Sequence, residues 1–487
     1  MCRSPGRRGD DRYDDAVPES SETGRVRRVL RSRTTTFLVV FVVFCVSPNV
    51  IPHGDPFLVV PTARSLVHDG DLDLTEYLNV PAVLSHYGLT REGDRFVDYF
   101  PWVTAAAAVP VTLGVDAVSA VAGTPDTDEL IRTDRTWPIQ LIGGSLLAAG
   151  ATLLIALVSE ALLDRTTRVA ATTGRRPPLL ALALAVGLTT PLWSTVSRGL
   201  WQHGPSLVFL AGALLVLLRV DQSPTLRRID GRLVGVGALA GAAYWARPTN
   251  AVAVAAIGLI ALVMGRRPAL TYAVGAAGAF AAGVLANVAL VGVAVPNYYA
   301  AGRIGWHREF VEAFLANLVS PSRGLLFTLP QIVTIGAVLA HPDRRSWSRF
   351  TRRLVFVGPL VPLGYALAVS GFANHWWAGH SYGARFLIES LPFVVPIAVV
   401  GSLRLLQGRG ALAAGTVVLW SLAGVVHFEG AWFHSTTCWN GSPTDIDVDP
   451  GRVWSVTDPQ FASGFASLVE DGPADALWRS CENGAGS

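Results

Sequence analysis

Apolar runs long enough to cross a bilayer recur between residues 34 and 427, and nothing else in the sequence restricts its fold so strongly. A helix needs about 20 predominantly apolar residues to span the hydrocarbon core. About eleven such runs are legible, at 34–50, 138–162, 178–196, 204–220, 233–247, 249–264, 270–295, 324–341, 354–371, 386–405 and 410–427. The bilayer core holds no water to satisfy a free backbone, so runs of this kind fold as helices. The expected fold is an all-α polytopic membrane protein with about 11 transmembrane helices and a long first extracytoplasmic loop over 51–137. Composition agrees. Charged residues make up 15% of the chain, against about 25% in soluble domains.

The distribution of charge sets the expected orientation. The chain has no lysine, so all 39 of its Lys+Arg residues are arginine. The connections at 164–176, 221–232, 266–267, 343–353 and 404–409 are Arg-rich. Cytoplasmic loops carry such an excess. All five fall on the side of the Arg-rich tail, residues 1–33, if the apolar patch at 102–122 does not cross. That patch contains Pro110 and Asp116 and reads as a re-entrant or interfacial element. The tail is expected to be disordered and cytoplasmic, and the 34–427 region to form a multi-pass domain of the plasma membrane. Residues 428–487 then form a small extracytoplasmic segment, in which Cys438 and Cys481 can pair. The cytoplasmic loops are short, whereas a nucleotide-sugar domain needs on the order of 100 residues. No Walker loop or dinucleotide fingerprint appears, and no nucleic-acid partner is expected.

The non-cytoplasmic loops concentrate chemistry. Asp55 lies where the chain leaves the first apolar run, followed by Arg64. A carboxylate at that depth is costly unless paired or used. The SRGLWQHGP loop carries Trp201 and His203; the NYYAAGRIGWHREF and SPSRG stretches carry Tyr299 and Arg323. The HWWAGHSYGARF stretch carries Trp377, His380, Tyr382 and Arg385. Arginine forks suit a phosphate. Aromatic faces suit sugar rings and also membrane interfaces. Arg247, in YWARPTN, suits either a helix-hairpin cap or a phosphate contact. Glu389 is expected to pair with Arg385 one helical turn earlier. The strings Asp69-Gly70-Asp71 and Asp126-Thr127-Asp128 resemble a metal–nucleotide motif, but an outer loop meets no nucleotide sugar. Asn440-Gly441-Ser442 fits the N-glycosylation pattern.

Around Asp55 the sequence resembles the polyprenyl-phosphate-sugar-dependent glycosyltransferases of the GT-C superfamily. The similarity is to the branch with protein O-mannosyltransferases and the lipid A aminoarabinose transferase. Asp55 stands at that branch's acidic position after the first span. Ala63-Arg64 and Leu66 match its short amphipathic helix, Gly70-Asp71 its Gly-Asp pair, and Asp98-Tyr99-Phe100-Pro101 its Pro-containing motif. The segments WQHGPS, YWARPTN, SPSRGLL and HSYGARFLIESLP are similar to a bacterial and archaeal subgroup. Asp55-Pro56 replaces a frequent double acid, and Phe100 a common second proline.

The resemblance implies an inverting membrane glycosyltransferase with a polyprenyl-phosphate sugar as donor and an extracytoplasmic hydroxyl as acceptor. Asp55 would be the general base. Arg323, Arg385 and Arg247 would hold the phosphate, with Arg64, His203, Trp201, Tyr299, Trp377, His380 and Tyr382 around the pocket. No cofactor is required by this reading, though a divalent metal held partly by Asp55 is compatible with it. The alternative is a lipid-linked glycan flippase, which would place paired ionisable groups within the membrane.

Overall fold

The computed structural model of the chain describes residues 29–51, 54–166, 177–221, 230–300, 302, 304–408, 410–470, 472–478 and 481. Most of the N-terminal tail, much of the Arg-rich connections at 164–176 and 221–232, and Arg303 lie outside them. Helices dominate what is described. Those that frame the site are α1 Arg33–Cys45, α2 Val59–His68, α3 Val103–Ala122, α4 Trp137–Thr166, α5 Leu179–Leu188, α6 His203–Asp221, α7 Gly231–Ala246, α8 Ala251–Met264, α9 Arg266–Leu290, α10 Leu391–Gln407 and α11 Ala411–Trp432. One hairpin is present, β1 Leu89–Glu92 against β2 Arg95–Asp98, with Leu89 opposite Asp98. Gly93, at φ +62°, takes the first position of its two-residue turn.

Among the described residues seven helices are long and apolar enough to cross a membrane, or eight if the pair Leu179–Leu188 and Pro191–Arg198, bent by 63°, is one broken span. The chain is a multi-pass membrane protein. The runs at 34–50, 249–264 and 324–341 give shorter helices, α1, α8 and Pro330–Leu339, and 233–247 gives the 16-residue α7. At Pro248, between two runs, and at Pro330, inside one, the structure turns to 3-10 geometry. The helical hydrogen-bond ladder does not readily survive a proline.

The patch at 102–122 is helical from Val103 onward. It is one continuous 20-residue helix, α3, with Pro110 inside it, and by length and apolarity alone it counts among the seven candidate spans. Asp116 does not interrupt it, because its carboxylate accepts from the Thr127 amide at 2.9 Å and faces His68 at 3.6 Å. The buried face of α2, with Val59, Val60 and Ala63, packs on Ala105 and Ala108 of α3.

Helix α4 is the hub, packed against α1, α5, α6 and α10. Lipid is as apolar as a leucine core, so such helices are held by close packing more than by transfer from water. The crossing of α7 and α9 shows this: a Cβ on Gly237 would lie 2.0 Å from the Tyr272 carbonyl oxygen. At about 1.5 Å per residue, α4 separates its two ends by roughly 40 Å. Gln140 is near one end and binds the loop that carries Asp55. At the other, Arg165 donates to the Leu218 carbonyl and Arg404 to that of Thr166. The arginine-rich ends and Asp55 are therefore at opposite ends of the bundle.

Residues 433–481 form a small cap. Cys438 and Cys481 are joined in a disulfide. Glu429, near the end of α11, accepts from the Gly464 and Phe465 amides at 2.9 Å each, occupying the amino end of a helix. Trp439, Ile446 and Val453 pack on Trp376 and Trp377. Asn440 is buried and accepts from Arg323 at 2.6 Å, so the N-glycosylation pattern it begins is not presented on this folded surface.

Arg198 closes the carboxyl end of α1. It is fully buried and donates to the carbonyls of Phe44 and, at 2.6 Å, Ser47. A helix leaves its last carbonyls without partners, and a cation suits that end. Arg198→Met should strand both acceptors and cost about 3 kcal/mol. A melting temperature in detergent equal to that of the wild type would contradict this role.

Candidate functional site

The segment that carries Asp55 is held by backbone bonds. The Ile51 amide donates to the Arg198 carbonyl at 2.8 Å. Gln140 donates to the Pro56 carbonyl at 2.7 Å and accepts from the Leu200 amide at 2.8 Å, tying both loops to α4. The approach is close enough to require glycine: a Cβ on Gly144 would lie 2.5 Å from the Gly199 carbonyl oxygen. Gly54, at φ +105°, opens the turn that presents Asp55.

Two side chains take the Asp55 carboxylate. The Tyr87 hydroxyl donates to Oδ1 at 2.5 Å, and Arg385 Nη2 to Oδ2 at 2.5 Å. The Asp55 and Arg385 side chains are only 19% and 11% exposed. His86 supports this arrangement. Its Nδ1 accepts from the Gly88 amide at 3.0 Å, which leaves Nε2–H to donate to the Gly54 carbonyl at 3.1 Å. Burial disfavours the Asp55 anion, but Arg385, Tyr87 and the nearby His203 outweigh it and hold the carboxyl below its ordinary value.

Arg385 lies over the Trp201 ring, 4.6 Å from its centroid. Arg385 Nε and Trp201 Nε1 are buried and meet no acceptor among the protein atoms. Buried donors are seldom left so, because each one unmet costs about 1–3 kcal/mol. Each is a donor that an oxyanion could take.

Behind Trp201 lies a second, fully buried charge group. Glu389 accepts from His203 Nδ1 at 2.7 Å and from Arg247 Nη1 at 2.7 Å. The expected pairing of Glu389 with Arg385 is not found. Residues Arg385–Ser390 form a 3-10 helix. Its three residues per turn align position i with i+3, so residues four apart point in different directions. Phe386, between them in sequence, has Arg247 on its ring at 5.3 Å and Arg385 at 5.5 Å.

An aromatic row leads away from Asp55. Tyr87 meets Phe100 edge-on at 6.2 Å, Phe100 meets Tyr298 at 5.6 Å, Tyr298 meets Tyr299 at 5.8 Å, and Tyr299 meets Trp245 at 4.9 Å. Tyr299 is fixed by donation to the Trp245 carbonyl at 2.6 Å, and Tyr298 by donation to Gln202 at 2.8 Å. Asp98 lines a small cleft with Phe100 and Tyr299. Burial, with Asp55 adding to it, pushes the Asp98 carboxyl well above its ordinary value against the bond it accepts from the Phe100 amide.

Asp55, Arg385 and Trp201 thus converge, with His203 and Arg247 directly behind. Arg323 goes elsewhere: it is buried and donates to the Ser381 carbonyl at 2.5 Å and the Gly379 carbonyl at 3.1 Å, as well as to Asn440. Tyr382 donates to the Val426 carbonyl of α11, while Trp377 donates to Asp447 and His380 faces Asp445 at 3.0 Å, both at the cap. The charge of Arg64 acts on Tyr77 and Asp128, not on Asp55. Asp71 and Asp126 serve local turns, accepting from Ser65 and from the Glu129 amide. Sequence reasoning did not single out Tyr87, His86 or Gln140. Nothing in SHYG or WPIQ signals an approach that only the tertiary fold creates. Among the described residues the groups that bring three potential metal ligands within 4.8 Å are His380/Asp445/Asp447 and His434/Cys438/Cys481. Neither includes Asp55, and the cysteines of the second are bonded to each other.

No known family profile and no curated protein matches the chain. Among solved structures it is similar to the apo crystal structure of the Archaeoglobus fulgidus oligosaccharyltransferase, at 10% identity and a TM-score of 0.38. The match covers 88% of this chain and 60% of that one. A likeness of that degree assigns no activity to this chain.

Removing Glu389 leaves Arg247 buried and unpaired. Glu389→Ala should cost about 3–5 kcal/mol, and the double variant Glu389→Leu/Arg247→Met distinctly less. Melting in detergent checks this, and a double variant less stable than the single would contradict the pairing. Asp55 gives a pH test. A depressed carboxyl contributes stability that is complete above the unfolded value, about 3.9, and lost as pH falls through the native one. The stability gap between wild type and Asp55→Asn should therefore hold from neutral pH down to about 4 and narrow below it. A gap unchanged down to about pH 2.5 would contradict the ion pair.

Proposed function

We propose that this chain is a membrane glycosyltransferase that moves a sugar from a polyprenyl-phosphate donor to a hydroxyl acceptor with inversion. The observation that supports it best is the pairing of an ionised, fixed carboxylate with an arginine whose Nε, like the neighbouring Trp201 N–H, has no acceptor. The resemblance of the sequence around Asp55 points to the same chemistry.

The roles follow from charge. The acceptor oxygen attacks the anomeric carbon, and Asp55 takes its proton. The bond from that carbon to the phosphate oxygen breaks, and the electron pair leaves with the phosphate. A phosphodiester with one negative charge becomes a monoester with two. Arg385 and the Trp201 N–H stand where that charge would grow, and preorganised donors are worth most at developing charge. The acceptor displaces the phosphate in one direct step, so the anomeric centre inverts. Of the three arginines expected to bind phosphate, Arg323 is spent on carbonyls and Arg247 on Glu389. The phosphate role therefore falls to Arg385, with Arg247 behind it.

The reaction is assigned to the extracytoplasmic face of the plasma membrane, with the N-terminus cytoplasmic and the C-terminal cap outside. The arginine-rich ends opposite Asp55 support that orientation. The sugar and the acceptor class, whether glycan, lipid or protein, are not assigned. One observation favours the flippase reading: Glu389, Arg247 and His203 form a buried ionisable group at the ends of α6, α7 and α10. In translocation such groups exchange partners, whereas here the whole group sits directly behind the Trp201–Arg385 wall.

Purified Asp55→Asn protein, incubated with a panel of polyprenyl-phosphate sugars, should show no sugar transfer while inserting and melting as a folded protein. Turnover near that of the wild type would remove Asp55 as the base and this assignment with it.

A further inference from the structure

We propose that Asp55 and the donor phosphate compete for Arg385, so that donor binding releases the base and must precede productive binding of the acceptor. The inference rests on the glycosyltransferase reading for the identity of the anion.

Both Asp55 oxygens are engaged in this structure, Oδ1 by Tyr87 and Oδ2 by Arg385. A carboxylate stabilised in that way accepts a proton poorly. His203 and Asp98 are the other ionisable groups whose charges act at Asp55 or feel it. Neither occupies its oxygens. Arg385 is the group able to let go. Arg247 is bound to Glu389, and Arg323 has both terminal nitrogens on acceptors from two segments. Arg385 spends Nη2 on Asp55 and holds Nε without an acceptor, while Trp201 supports the plane of its guanidinium.

A phosphate offers the fork of Nε and Nη2 two oxygens at once, which a carboxylate shared with Tyr87 does not. On donor binding Arg385 turns to the phosphate. Asp55 Oδ2 is freed toward the acceptor hydroxyl, and Tyr87 keeps the carboxylate oriented through Oδ1. With the donor absent, Arg385 covers the base.

Competition makes an unusual prediction: the substitution that removes the base should improve donor binding. In full-length detergent-purified protein, Asp55→Asn should bind farnesyl monophosphate about tenfold more tightly than the wild type, because a charged hydrogen bond no longer has to be broken. Asp55→Ser should do the same, which guards against an effect peculiar to one variant. Tyr87→Phe, which leaves the ion pair, should not tighten binding, and Arg385→Ala should lose it in both backgrounds. Farnesol and inorganic phosphate separate the sources of affinity. A gain for both phosphates but not for farnesol supports competition at the anion. A gain for farnesyl monophosphate alone supports it for a lipid-borne phosphate. An equal gain for farnesol would overturn it. Wild type that binds farnesyl monophosphate no better than farnesol would overturn this inference and the lipid-phosphate reading together. Wild type that binds it well, with Asp55→Asn equal or weaker, would overturn the competition alone.

Discussion

The ion pair between Asp55 and Arg385 joins residues 330 positions apart in sequence. It connects the first segment after α1 to the 3-10 turn that opens α10. Each partner is placed by a different part of the bundle. Asp55 rides on a segment held by Gln140 of α4 and by the Arg198 carbonyl. Arg385 lies on Trp201, whose own loop is held to α4 through the Leu200 amide and allowed close by Gly144. Helix α4 is therefore the common reference for both sides of the pair. A shift of that helix would move base and cation together, whereas a change at the Gly144–Gly199 contact would move Trp201 relative to Asp55.

Electrostatics at the site is divided between two groups of opposite character. Asp55 and Arg385 are partly accessible, and the Nε–H of Arg385 is unspent. Glu389, His203 and Arg247 are closed, with each charge answered by a neighbour. Buried ion pairs contribute little net stability compared with apolar packing, because desolvation offsets much of the attraction. Their value here is placement: Glu389 joins the ends of α6, α7 and α10 behind Trp201, making a fixed wall against which Arg385 can exchange partners. The cap of residues 433–481 supplies further order, with Arg323 and Glu429 anchoring it to the loop at 379–381 and to α11.

Much of this was legible in the sequence, and the limits have physical causes. The apolar runs gave helices, and Asp55 and Arg385 stood out because charge at a membrane exit demands a partner. The expected partner of Arg385 was wrong because sequence spacing presumes an α-helix, and Arg385–Ser390 is a 3-10 turn. The run at 324–341 overstated its helix because hydropathy continues through Pro330 while the α-helical ladder does not. At 102–122 Pro110 and Asp116 leave the helix unbroken, because Thr127 and His68 answer the carboxylate from outside it. Tyr87 and His86 were not foreseen, since they reach Asp55 and the Gly54 carbonyl only after the 54–100 loop folds back on itself. Arg323, Tyr382, Trp377 and His380 share residue types with a phosphate and sugar site, yet α11, the loop at 379–381 and the cap satisfy them.

The most direct test of the account is a cryo-EM structure of the full chain with farnesyl monophosphate bound. The account predicts the phosphate on Arg385 Nε and Nη2, within reach of Trp201 Nε1, with the Asp55–Arg385 contact broken and Tyr87 still on Oδ1. A phosphate bound at another place, with the Asp55–Arg385 pair intact, would contradict it.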